Sequence, residues 1–263
     1  SASVRSSYLA IGSARGYMYP DLIGMLLAGA GLTATTTGAG TDKTHTFKLS
    51  TRSAVSWLTI LETIGDETLR GTDVRVETLS VEASPDGIIF DAALKGLKID
   101  YDAGTETSSN ETTVEILPSL GTCTVAFDPA GVNTTMVSGA SDYLMRTSFQ
   151  IANPMDDEKS LWEFRRGDLP QKGVDVTGRI EGLPLTYDNY EMIVNGANNA
   201  TDVSATTAIC SIAMTWQSAG FVTGSTPYSL SLSVPRAEVN LDDFVAEGDN
   251  IVRWNFNWRM IDN

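Results

Sequence analysis

Apolar and polar residues alternate with period two along most of this chain, and the clearest such run occurs twice. Residues 87–97 read Gly-Ile-Ile-Phe-Asp-Ala-Ala-Leu-Lys-Gly-Leu, and residues 173–183 read Gly-Val-Asp-Val-Thr-Gly-Arg-Ile-Glu-Gly-Leu. In the first copy Ile88, Phe90, Ala92 and Leu94 share one face; in the second Val174, Val176, Gly178 and Ile180 do. This is the signature of a half-buried strand. Each copy follows another alternating segment, residues 79–83 before the first and 149–153 before the second, so the repeated object is a strand pair. A repeated pair predicts a duplicated module.

Elsewhere the pattern changes period once in each half. Pro20 suits the first turn of a helix, and Leu22, Ile23, Met25, Leu26 and Leu27 form an apolar stripe that Gly29 can end. Residues 187–196 resemble that segment, with Asp188 placed to cap and Asn195-Gly196 placed to stop it, so the helix is predicted to be duplicated near residues 20–28 and 189–195. Strands are predicted at 4–12, 44–49, 56–64, 122–127 and 142–151, and three more around 209–216, 228–234 and 251–261. In the last of these Val252, Trp254, Phe256 and Trp258 lie on the opposite face from Arg253 and Arg259. Residues 33–42, rich in Thr, Gly and Ala, read as a loop, and 65–72 as a connection. Ser84-Pro85-Asp86-Gly87 is a tight turn, and the polar run 102–113 is a linker. The expected fold is mainly β: two tandem antiparallel β-sandwich or barrel modules, residues 1–117 and 118–263, each flanked by one short α-helix.

Charge narrows the function. The 263 residues carry 18 basic and 33 acidic side chains, a net −15, shared by both halves. Such a surface repels phosphate and disfavours a protein that grips nucleic acid or anionic lipid through a basic patch. It is compatible with a passage through which DNA slides without sticking. The longest apolar run, residues 22–32, is interrupted by glycines at 24, 29 and 31 and is too short to cross a bilayer, so no membrane partner is expected.

Chemistry-bearing motifs are sparse. The only histidine, His45, lies in a Thr-rich strand without a neighbouring acid or nucleophile, and no phosphate-binding glycine loop occurs. The acidic pairs Asp156-Asp157, Asp242-Asp243 and Asp100/Asp102 lack calcium-loop spacing and read as solvated charge. Cys123 and Cys210 have neither redox nor metal spacing and read as small core residues. No catalytic residue, cofactor or metal is expected. The tryptophans could form a sugar-stacking platform, although core or interface packing is the commoner use.

In order, the helix segment Asp21-Leu22-Ile23-Gly24-Met25-Leu26-Leu27, the Thr44-His45-Thr46-Phe47 strand, the Gly71 connection and the hairpin of residues 76–83 and 87–97 resemble the tail tube proteins of long-tailed bacteriophages. The second half then repeats the hairpin and the helix, which matches the variety with two tube modules in one chain. The resemblance covers nearly the whole sequence and resides in order and duplication. It implies modules of two antiparallel sheets flanked by one helix, placed side by side in a ring. Rings stack into a hollow virion tube, assembled in the host cytoplasm, through which the genome passes without specific binding. Single-module relatives form hexamers, so a chain of two modules implies a trimer with a pseudo-hexameric ring. Tape measure and terminator proteins are the other expected partners. The alternative is a soluble β-sandwich binding module, an adhesin or carbohydrate-binding protein.

Two surfaces follow from this reading. Where the first copy of the hairpin closes with a tight turn, the second carries residues 154–172, with Asp156, Asp157, Glu158, Trp162, Phe164, Arg165 and Arg166. That loop combines aromatic residues with both signs of charge and is expected to touch a neighbouring subunit or ring. Glu77, Glu82, Asp175 and Glu181, on the outward positions of the repeated strands, are expected to face the lumen.

Overall fold

The computed structural model describes residues 10–39, 42–49, 56–64, 67–100, 116–127, 134–137, 146–155, 173–183, 191, 193–195, 208–223, 226–241, 245–247 and 251–261. In chain order the elements are β1 (Ala10–Tyr17), α1 (Pro20–Gly29), β2 (Leu32–Ala39), β3 (Asp42–Leu49), β4 (Leu58–Ile64), β5 (Glu67–Ser84) and β6 (Gly87–Asp100). They continue with β7 (Ile116–Phe127), β8 (Thr134–Val137), β9 (Arg146–Ala152), β10 (Asp175–Leu183), β11 (Ala208–Thr223), β12 (Thr226–Leu241), β13 (Val245–Glu247) and β14 (Ile251–Met260). Glu191 and residues 193–195 are helical, so each half contains a helix where the apolar stripe predicts one. The fold is mainly β and its strand pairs are antiparallel throughout the registers resolved.

The chain forms two compact units. The first holds residues 1–80, 90–113 and 151–174, the second residues 81–89, 114–150 and 175–263. The expected cut at residue 117 is therefore crossed by two segments, 81–89 and 151–174. Residues 102–113, read as a linker, lie outside the described residues.

In the first unit the strands run in the order β1-β6-β5-β9, with β4 also paired to β5. Helix α1 begins with Pro20 in its first turn, and the amides of Leu22 and Ile23 donate to the Tyr19 carbonyl. Proline costs nothing there because the first amides have no partner inside the helix. The helix stops at Gly31 (φ 93°), whose amide donates back to the Ala28 carbonyl. Gly29, expected to end the helix, is its last residue and sits against β4 and β5: a Cβ there would lie 2.6 Å from Leu58 and 3.0 Å from Val76. Ile23, Leu26 and Leu27 are buried, as are Val74, Val76, Leu79, Phe90 and Ala92, and these residues form the core of this unit.

Two sequence expectations in this unit are corrected. Residues 33–39 and 42 are strand rather than loop: β2 pairs with β3 from Leu32↔Leu49 to Ala39↔Asp42. A run of β-branched threonines favours extended backbone even without an apolar face to bury, so a burial pattern could not reveal it. Within the expected connection 65–72, residues 67–72 are also strand, since β5 starts at Glu67. The turn signals there belong to an irregularity of the β4–β5 register, beside which Asp73 takes the left-handed region (φ 54°).

The second unit has the order β9-β10-β14-β12-β11-β7-β8, with β13 paired to β14. Its core contains Val81, Ile88, Phe149, Val176, Ile180, Ile212, Met214, Trp216, Val239, Phe256 and Trp258. Phe149 and Trp216 stack with ring centroids 6.2 Å apart. On β6 and β10 the predicted faces are the buried ones: Ile88, Phe90, Ala92 and Leu94 on β6, Val176 and Ile180 on β10. Gly87 and Gly173, which open the two similar runs, share an unusual backbone (φ 143° and 150°).

The order of elements shows a longer duplication. β1-α1-β2-β3-β4-β5 matches β10, the helix at 191–195, β11-β12-β13-β14, strand for strand. Two of the pairings match as well: β2 with β3 and β11 with β12, β4 with β5 and β13 with β14. The pairs β10–β14 and β12–β14 have no counterpart, because β6 lies between β1 and β5 and, among the described strands, β3 pairs with β2 alone. This register equates β10 with β1 rather than with β6. Residues 87–97 and 173–183 look alike because both are glycine-opened, half-buried antiparallel strands, which period-two alternation cannot tell apart. β1 and β10 also share a Gly-x-x-x-Gly spacing, Gly12/Gly16 and Gly178/Gly182, and in each an aromatic ring from the adjoining strand lies over one glycine. The rings are Phe90 over Gly16 and Trp258 over Gly178.

At Gly178 a Cβ would overlap the Trp258 indole and the Ser148 carbonyl, whereas at Gly12 it would meet nothing within 4 Å. Gly178→Ala is therefore expected to destabilise the protein by about 1–3 kcal/mol. Gly12→Ala should change stability by no more than about 0.5 kcal/mol. Urea midpoints of the two variants check the contrast, and equal midpoints would contradict the packing described.

Candidate functional site

Each of the acids expected to face the lumen has a cation beside it. On β5 and β6 the Lys95 ammonium bonds the Glu77 carboxylate. Glu82 on β5 pairs with Arg146 on β9, Nε to Oε1 at 3.2 Å. On β10 Arg179 pairs with Glu181 at 3.0 Å, and Arg259 of β14 reaches Asp175 at 3.0 Å. These carboxylates are 28–49% exposed, so each pair contributes at most about 1 kcal/mol to stability. Their main effect is on the field: opposite charges a few ångströms apart cancel within a Debye length, so the four acids form a neutralised surface rather than a bare anionic one.

The loop residues Asp156, Asp157, Glu158, Trp162, Phe164, Arg165 and Arg166 lie outside the described residues. The chain that leads into them is anchored. Asn153 is fully buried, its amide donating to the Glu77 carbonyl at 2.7 Å and its side-chain Nδ2 to the Val76 carbonyl at 3.5 Å, and Met155 is buried just beyond it.

Of the tryptophan side chains described, Trp216 and Trp258 are buried and so offer no face to a sugar. Trp57 is exposed on one side and covered on the other by Arg75, whose guanidinium carbon stands 3.7 Å from the ring centroid. Arg75 is itself buried between the core residues Val74 and Val76 of β5. This cation–π contact was illegible in the sequence, where Arg75 is only a charge in an alternating strand.

Exposed apolar area is unevenly placed. Tyr17, Met25, Trp57, Leu61 and Ile99, the large apolar side chains that stay exposed among the described residues, all belong to the first unit. The same unit carries the β2–β3 hairpin. Its Thr36 hydroxyl and His45 Nδ1 lie 2.9 Å apart across the strands, and every residue from 33 to 39 is exposed. No three His, Cys, Asp or Glu side chains converge among the described residues.

Cys210 is fully buried on β11, and burial pushes its thiol from 9.0 up to about 12. A neutral, enclosed thiol is a poor nucleophile. The chain matches no known family model, and no curated protein shows significant similarity to it.

Native protein at neutral pH is expected to leave Cys210 unlabelled by maleimide, with labelling restored in urea; peptide mass mapping reads the difference. The pH dependence has a fixed sign. Because the folded value is raised, the unfolded chain loses this proton first, so the contribution of Cys210 to stability is intact below pH 9.0 and declines as pH rises towards about 12.

Proposed function

We propose that this protein is a structural subunit whose copies assemble side by side into rings that stack as the hollow tail tube of a long-tailed phage. Three chains, each with two copies of the repeated unit, make one pseudo-sixfold ring. The observation that carries this reading is the twofold occurrence of the strand–helix–hairpin–strand order within one chain. Such a repeat supplies two similar modules for lateral association, and a heterologous contact repeated around an axis closes a ring. Exposure of Tyr17, Met25, Trp57, Leu61 and Ile99 on one unit supports it, because apolar side chains of that size are costly to leave in water and mark contact surfaces.

The charge arrangement is compatible with a conduit. A wall in which acids and bases neutralise each other neither grips phosphate through many contacts nor repels it strongly. Genome would pass along it without specific binding, and the ends of the tube would meet tape measure and terminator proteins. On this reading the chain acts through its shape and its contacts in the virion, and performs no catalysis.

Negative-stain microscopy of the purified chain is expected to show rings or hollow filaments. Leu61→Glu and Met25→Glu alter exposed positions, so they should leave folding stability within about 0.5 kcal/mol while reducing assembly. A chain that remains monomeric at its highest soluble concentration would contradict the proposal.

A further inference from the structure

We propose that Met25 is a site of reversible oxidation whose sulfoxide weakens assembly of the chain. The inference rests on the assembly reading above and adds to it a means of regulation.

Among the described methionines Met18, Met155 and Met214 are buried and Met260 is half-buried, whereas Met25 is 54% exposed. Helix geometry causes the contrast. Ile23, Leu26 and Leu27 form the buried stripe of α1, and because each residue turns the helix by about 100°, Met25 stands on the side away from them. The residues about one turn away on that side, Asp21, Leu22 and Ala28, are exposed or half-buried. The Met25 thioether is thus open to a solute that the core excludes.

Oxidation of methionine follows this access. With hydrogen peroxide as the oxidant, a sulfur lone pair attacks one peroxide oxygen: the S–O bond forms and the O–O bond breaks. Sulfur gives up two electrons, and the second oxygen leaves with both protons as water. Two thiols reverse the step, removing the sulfoxide oxygen as water and becoming a disulfide.

Position decides what the new oxygen does. At Met18 or Met214 it would place a polar acceptor in the core. At Met25 it stays in water in the free chain, so the fold is indifferent to it. The cost appears on contact. Met25 belongs, with Tyr17, Trp57, Leu61 and Ile99, to the large apolar side chains exposed on the first unit, and a surface that buries such a group against apolar atoms must desolvate the sulfoxide without returning a hydrogen bond.

Treating the full chain with dilute hydrogen peroxide tests this. Trypsin releases residues 16–43 as one peptide, which carries both Met18 and Met25 and so compares a buried with an exposed methionine internally. Met25 should be oxidised at least about tenfold faster than Met18. The oxidised chain should keep its urea midpoint, while the concentration needed for assembly, read by light scattering, rises about tenfold. Methionine sulfoxide reductase with dithiothreitol should bring that concentration back. In a Met25→Leu chain it should be the same before and after peroxide. Equal oxidation of Met18 and Met25, or a peroxide effect that persists in Met25→Leu, would overturn the inference. Fully oxidised Met25 with assembly unchanged would overturn it as well and leave the assembly reading standing. A chain that assembles at no concentration, oxidised or not, would overturn both.

Discussion

A β-strand away from water needs a partner for each backbone N–H and C=O, and this requirement governs the molecule more than any single side chain. In the second unit it is met along seven strands from β9 to β8, with β14 covering β12 over residues 237–241. In the first unit β6 and β5 have strands on both sides, β1 ends the sheet, and among the described residues β2 and β3 pair only with each other. Side chains then decide how closely adjoining strands can approach. Glycine at 178 admits the Trp258 ring and glycine at 29 lets α1 settle on Leu58 and Val76, so each removes a Cβ at a point of contact.

Legibility of the fold followed locality. Helix α1 could be read because Pro20 and the apolar stripe are neighbours in sequence, and the faces of β6 and β10 because alternation is a local property. Two strand segments were misread for opposite reasons. Residues 33–39 form a strand with no buried face, so their polarity resembled a loop. Gly71 and Asp73 mark an irregular stretch within β5, so their turn chemistry resembled a connection. The register of the duplication also escaped the sequence, since β6 imitates β10 in pattern while β1 matches it in order.

The candidate surfaces were less legible, because their defining contacts are distant in sequence. Lys95 and Glu77 are 18 residues apart, Arg259 and Asp175 are 84 apart, and alternation placed the acids on the outer face without revealing their partners. The chain carries a net charge of −15, and each of these acids meets a cation across or along the strands. Arg75 over Trp57 belongs to the same class, a contact created by the turn of the chain and absent from any motif.

The central claim is that two modules per chain make three chains the closed unit of assembly. Native mass spectrometry of the smallest stable assembly measures this directly. The account predicts a species of three times the 28.2 kDa chain mass, and larger particles in multiples of it. A dominant six-chain ring, or a monomer with no higher species at any concentration, would contradict it.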